Sequence, residues 1–149
     1  MENLKPSLRV FIGGVMQGSR ADDRINDQGY RQVITQLLQE NLEGVEVIDP
    51  WALYPNNKVR DMEQARLAFL HTNILAQEMD LMVAYLPEAS MGTAVEIWEA
   101  YRAGVPIFSI SPMQDNWVIR LFSSRVFPTL EAFKAFITNG GLGSVLRGA

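Results

Sequence analysis

Apolar residues along this chain fall into short unbroken runs, and the segments between them carry a helical rhythm. Residues 8–12 form the first run, which ends at Gly13-Gly14. Tyr30, Val33, Ile34, Leu37 and Leu38 then recur at i, i+3, i+4, i+7 and i+8, the spacing that gathers them on one face of a helix. Residues 45–48 read as a second strand closed by Asp49-Pro50, because a residue before proline is pushed out of the helical region. A polar loop through Tyr54-Pro55-Asn56-Asn57 leads to a long helix over about 60–79. Residues 81–86 are almost wholly apolar, as a central parallel strand covered on both faces must be.

The second half repeats the pattern. A helix over 92–102 has Gly104 as its stop, and 105–110 is a fourth strand. Asp115 is placed to cap a helix carrying Trp117, Val118, Leu121 and Phe122. Residues 125–127 make a short fifth strand, and Thr129 caps a last helix that turns Phe133, Phe136 and Ile137 inward. From Asn139 onward, with Gly140, Gly141 and Gly143, the chain is expected to fray.

Alternation of this kind predicts an α/β fold: one flavodoxin/Rossmann-like three-layer sandwich with a five-stranded parallel sheet and right-handed crossovers. No linker or internal repeat interrupts residues 1–149, so a single domain is expected, with its core over about 8–137 and a flexible tail over 138–149. In such sheets ligands sit beyond the carboxyl ends of the strands. The loops at 13–21, 50–57 and 87–92 are therefore the candidate site.

Composition narrows the chemistry. The 149 residues contain no cysteine and one histidine, His71, which leaves no thiolate chemistry and no multi-histidine metal site. No metal and no cofactor is expected. A formal charge of −4 argues against binding a nucleic acid polymer, and small anions must be held by local donors. The apolar runs are too short to span a bilayer, and residues 1–7 lack the pattern of a secretory signal, so no membrane association and a cytoplasmic location are expected.

One carboxylate stands out. Glu96 falls in the early turns of the helix after the central strand, where the positive end of the dipole favours a negative charge. It shares a helical strip with Ala100 and Ala103, an odd setting for a solvent-facing acid; Glu99 and Arg102 make an ordinary exposed pair. Glu96 either steadies the helix start or serves a site. Ser90 is an N-cap for that helix, or a hydroxyl that with nearby N–H groups holds an anionic oxygen. The stretch from Gly13 and Gly14 through Gly18, Ser19 and Arg20 is glycine-rich and ends in a cation; it is a cradle for a phosphate or a plain mobile loop, and it matches neither the dinucleotide fingerprint nor the P-loop. Trp51 and Tyr54, on a strand-end loop, are core residues or a platform for a base. His71 reads as a packing or surface residue.

These segments resemble the nucleoside 2-deoxyribosyltransferase superfamily over roughly residues 8–137. The resemblance is carried by Asp80-Leu-Met-Val-Ala-Tyr-Leu, by Ser90-Met-Gly-Thr-Ala-Val-Glu96, and by Ala100-Tyr-Arg-Ala-Gly-Val-Pro106-Ile. It implies that Glu96 is a nucleophile forming a covalent glycosyl intermediate, with Gly92 in the same binding loop. Asn116-Trp-Val-Ile-Arg120 also looks like a family motif, in which the residue at Asn116 reaches a neighbouring subunit's site. That implies a homodimer or larger assembly.

Ser90 stands where the transferases usually carry a sugar-binding aspartate. Together with Ser19, Arg20 and Tyr30-Arg31 it looks more like the branch of 2′-deoxynucleoside 5′-monophosphate N-glycosidases. Thr72 occupies a position where the family commonly has an aspartate, and Val10 is nearest to the place of a frequent tyrosine. Glu88 and Asp61 are the nearest remaining carboxyl groups for general acid work. The expected partner is a small nucleoside or nucleotide. Three activities stay open: hydrolysis of a (deoxy)nucleoside 5′-monophosphate, base exchange by a deoxyribosyltransferase, and nucleotide binding without turnover.

Overall fold

The computed structural model describes residues 7–22, 24–54 and 61–147. Five strands form one all-parallel sheet: β1 (Arg9–Gly14), β2 (Glu46–Ile48), β3 (Leu81–Tyr85), β4 (Ile107–Ile110) and β5 (Arg125–Phe127). Their order is β2-β1-β3-β4-β5, the flavodoxin-like arrangement. Seven helices occur among the described residues: α1 (Gly29–Asn41), α2 (Pro50–Leu53), α3 (Met62–Gln77), α4 (Met91–Arg102), α5 (Trp117–Phe122), α6 (Leu130–Thr138) and α7 (Gly141–Arg147).

The sheet separates two cores, and the two-residue period of the strands assigns side chains to each. Val10, Ile12, Leu81, Val83, Phe108 and Ile110 face α1, α6 and α7, where Ile34, Leu38, Phe133, Ile137 and Leu142 meet them. Phe11, Met82, Ala84 and Ile107 face the other way, against Ala76, Ile97, Ala100 and Ile119 of α3, α4 and α5. Just past the Ala103 cap of α4 the chain turns at Gly104, whose φ of +79° is a conformation that side-chain-bearing residues rarely adopt.

Three elements differ from the sequence expectation. The segment after β2 opens with a short helix: Asp49 accepts from the Trp51 N–H as N-cap, and Pro50 takes the first turn. The cap of α5 is Asn116, which accepts from the Val118 and Ile119 N–H groups, while Asp115 is fully exposed. The glycine-rich tail does not fray over Gly141–Arg147 but forms α7. It folds because Leu142, 1% exposed, joins the α1/α6 core and Val145 packs against it. Pro55, Asn56 and Asn57 of the expected loop lie outside the described residues.

Candidate active site

β1 and β3 are neighbours from which the chain departs in opposite directions, so the crevice between their following loops is the topological switch point of the sheet. A cavity of about 610 Å³ opens there, within the range of small-molecule sites. Its walls come from the loop after β1 (Met16 to Arg20, with Ile25), from Pro50 and Tyr54, from α3 (Ala65, Ala68, Phe69, Thr72), and from the start of α4 (Ser90 to Thr93). Glu96 also lines it and is the one carboxyl group among the described lining residues.

Glu96 is placed by the helical repeat of α4. Thr93, Glu96, Ile97 and Ala100 are its buried positions, so the carboxylate is carried inward on an otherwise apolar stripe. Only 8% of Glu96 is exposed, and no hydrogen bond among the described residues satisfies its carboxyl oxygens. Its Oε2 lies 2.9 Å from the point where a side chain on Gly13 would begin, so the carboxylate rests directly on β1. Burial is the main influence on its titration: it pushes the carboxyl from its ordinary 4.5 up to about 8, with Arg31 pulling it down and Asp49 adding to the rise.

Of the remaining residues singled out from sequence, Gly14, Ser19, Arg20, Ser90 and Gly92 line this cavity. Ser90 caps α4, accepting from the Thr93 N–H at 3.3 Å and pairing with the Thr93 hydroxyl at 3.0 Å. Ser90 is therefore both cap and wall. Arg20 is exposed and donates to Asn26 Oδ1, whose own amide donates to Glu88 at 3.0 Å. Glu88 is thus committed to the loop rather than to the cavity, and Asp61 caps α3 in an exposed position. Asn116, engaged as a helix cap, is not part of the cavity wall within one chain.

The aromatic residues divide between two openings. Tyr54 lines the cavity, whereas Trp51 and His71 line a separate groove over the β2 edge. His71 is exposed, and its Nδ1 bonds the Tyr54 hydroxyl, tying the end of α2 to α3. Sequence reasoning missed Phe69 and Ile25 on the apolar wall, and it took Tyr30-Arg31 only as part of the likeness to the monophosphate N-glycosidase branch.

Arg31 is turned away from the cavity and only 2% exposed. It pairs with Asp49 at 2.9 Å and donates to the carbonyls of Ile12 and Gly14 and to Gln28. A signal existed: Arg31 shares the i, i+3, i+7 stripe with Ile34 and Leu38, both buried. Among the described residues no group of three or more histidine, cysteine, aspartate or glutamate side chains is placed to hold a metal. No helix there is long and apolar enough to cross a membrane.

Comparison with family models and with curated protein sequences gives no match. Solved structures do match. A 2-deoxyribosyltransferase from the psychrotolerant bacterium Bacillus psychrosaccharolyticus aligns with a TM-score of 0.63 and 17% identity, covering 85% of this chain and 90% of that one. A conserved protein from Enterococcus faecalis V583 aligns with a TM-score of 0.62 and 20% identity, covering 89% and 98%. At these identities the likeness is one of fold, and it spans nearly the whole of both chains.

Proposed function

We propose that the chain cleaves the N-glycosidic bond of a (deoxy)nucleoside 5′-monophosphate by a retaining mechanism, with Glu96 as nucleophile. The observation that carries this reading is the unbonded Glu96 carboxylate, buried yet facing a nucleotide-sized cavity at the switch point of the sheet. Ionised Glu96 attacks the anomeric carbon as the bond to the base breaks, and the departing base keeps that electron pair. Water then hydrolyses the glycosyl ester and restores the carboxylate. The other described wall residues include no carboxyl group, so the leaving base takes its proton from water. The absence of an acid at Thr72 is consistent with that.

The cavity's two ends suit the two ends of such a substrate. Ser90, Gly92 and Thr93 open the 12-residue helix α4, where N–H groups and the dipole favour an anion, and Ser19 and Arg20 line the same cavity. Tyr54, Phe69, Ala65, Ala68 and Pro50 offer an apolar bed for a base. The fold shared with a 2-deoxyribosyltransferase supports nucleoside chemistry and keeps base exchange as the second reading.

We also infer that the chain works as a dimer or larger. Leu70 and Ile74 of α3, Met91, Val95 and Trp98 of α4, and Trp117 and Leu121 of α5 are large apolar side chains left at least 40% exposed on helices of one face. Met91 of this set, and the likewise exposed Phe69 of α3, also line the cavity, so a second copy seated here borders the substrate.

The test incubates the protein with a panel of nucleosides and their 5′-monophosphates, with and without a second free base, and separates the products by liquid chromatography. Free base and sugar phosphate are expected from monophosphates, and Glu96→Ala abolishes both. Product only when a second base is supplied moves the assignment to the transferase. Turnover that survives Glu96→Ala refutes the mechanism.

A further inference from the structure

Arg31 and Glu96 reach the end of β1 from opposite sides. Arg31 donates through Nη1 to the Ile12 carbonyl and through Nη2 to the Gly14 carbonyl, each at 3.2 Å. Glu96 Oε2 rests on Gly13, the residue between them. No hydrogen bond joins the two side chains, and a single extended residue separates the guanidinium from the carboxylate. The guanidinium also holds Asp49 at 2.9 Å and Gln28 at 2.7 Å, with the Arg31 side chain 3% exposed and that of Asp49 16% exposed. Such a cluster is shielded from solvent, so its charges act on one another far more strongly than a surface pair does.

We propose that Arg31 is a positioning residue whose charge, shared between Asp49 on one side and Glu96 on the other, keeps the Glu96 carboxylate available for attack, with Asp49 setting how much of that charge Glu96 receives. That Glu96 is the attacking group rests on the function proposed above; the electrostatic division rests on the placement of Arg31 and Asp49 at the end of β1 and on the opposite directions in which their charges push Glu96.

Other charged groups do not compete for this role. From α1, Tyr30 stands beside Arg31, with its phenol pushed up chiefly by burial and therefore uncharged near neutrality. From α3, Glu63 and Arg66 are exposed and paired with each other, and His71, in the groove beside Arg31 and Asp49, is exposed and bonded to the Tyr54 hydroxyl. From α5, Arg120 is exposed and faces Asp115. On α4 itself, Arg102 pairs with Glu99. Strands β3 and β4 carry no charged residue, and Arg20 is exposed and bonded to Asn26. After burial, the influences on Glu96 are Arg31, which favours the anion, and Asp49, which opposes it.

This arrangement predicts opposite signs from two substitutions that a purely structural pair would make alike. Asp49→Asn keeps an acceptor for Arg31 and for the Trp51 N–H but removes the negative charge, so Glu96 receives more of the guanidinium. Arg31→Gln removes the cation, and Arg31→Lys keeps it. The experiment is a carbon-13 NMR titration of the Glu96 carboxyl, identified by its disappearance in Glu96→Gln, alongside the pH profile of kcat/KM.

In Asp49→Asn the Glu96 midpoint is expected to fall by about half a pH unit or more. In Arg31→Gln it rises, and in Arg31→Lys it stays near wild type. The kinetic midpoint moves with the NMR midpoint. If Arg31→Gln does not fold, Asp49→Asn and Arg31→Lys still decide the matter. A Glu96 midpoint that is unmoved or raised in Asp49→Asn overturns the proposal. NMR midpoints that move as stated in a protein without turnover support the electrostatic division and refute the proposed function instead.

Discussion

Replacing Glu96 by glutamine tests the burial of its charge without reference to any substrate. In the folded chain the carboxyl keeps its proton up to about pH 8, whereas in the unfolded chain it loses it near the ordinary 4.5. Between those values the native state binds more protons, so this group makes stability fall as pH rises. Each pH unit inside the window is worth about 1.4 kcal/mol. From pH 5 to pH 8 the wild type is therefore expected to lose roughly 3 kcal/mol from Glu96 alone. Glu96→Gln has the same shape and no charge to bury, so its stability relative to wild type should grow by that amount over the same interval. Urea unfolding at fixed protomer concentration, followed by tryptophan fluorescence at several pH values, measures the difference directly. The comparison cancels every other titrating group common to both proteins. A difference that stays constant within about 0.5 kcal/mol from pH 5 to pH 8 refutes the buried-carboxylate argument.

The same titration sets the kinetics: attack needs the anion, so kcat/KM should rise with pH and level off above about 8, and a flat profile through that region contradicts the nucleophile assignment. Gly13→Ala places a methyl group 2.6 Å from Met82 Cε and 2.9 Å from Glu96 Oε2. It should lower kcat about a hundredfold through the displaced carboxylate, and full activity in a folded variant counts against the geometry. Ser90→Ala should cost about 1 kcal/mol of stability as a lost cap and weaken a monophosphate about tenfold while sparing the nucleoside. Equal loss on both substrates removes the phosphate from that helix start. Sedimentation velocity should show a dimer or larger at micromolar concentration and a monomer for Trp117→Glu; a monomeric wild type ends the shared-interface reading.

The strands and long helices were legible because their burial is regular. The unbroken apolar run through Val10, Phe11 and Ile12 marks a strand covered on both faces, and the stripe of Tyr30, Ile34, Leu37 and Leu38 repeats the helical period, although Val33, read with it, is exposed. Glu96 was legible for the same reason, since a carboxylate in line with Ala100 breaks an apolar stripe. The exchange of Asp115 for Asn116 as helix cap was not, because two adjacent residues with equal capping chemistry leave the frame open. In the tail, Leu142 and Val145 already stand at helical spacing, but three glycines outweigh that signal until α6 supplies a surface to pack on. Convergence of Tyr54, Phe69 and Thr72 on one cavity has no local signature, as it depends on how α2 and α3 meet across the sheet.

The two glycines that end β1 show how much hangs on close approach rather than on backbone freedom. Neither has a positive φ; among the described glycines only Gly18, Gly44, Gly104 and Gly140 do. Gly13 faces α4, and its missing side chain is the space that Glu96 occupies. Gly14 faces α1, where any Cβ would stand 2.4 Å from the Tyr30 hydroxyl, which itself donates to the Val15 carbonyl. The strand end is thus thin on both sides, which makes room for the Glu96 carboxylate on one and the Tyr30 phenol on the other. In the proposed function, contact with the phosphate falls to the later part of the loop. There Gly18, at φ +62°, lies so close to Glu88 that a Cβ would stand 1.8 Å from Oε1. Asn26 links that same Glu88 to Arg20. Glu88, read from sequence as a proton donor, instead anchors the loop that presents Arg20 to the cavity, so its loss should loosen phosphate binding and leave the chemical step at Glu96 intact.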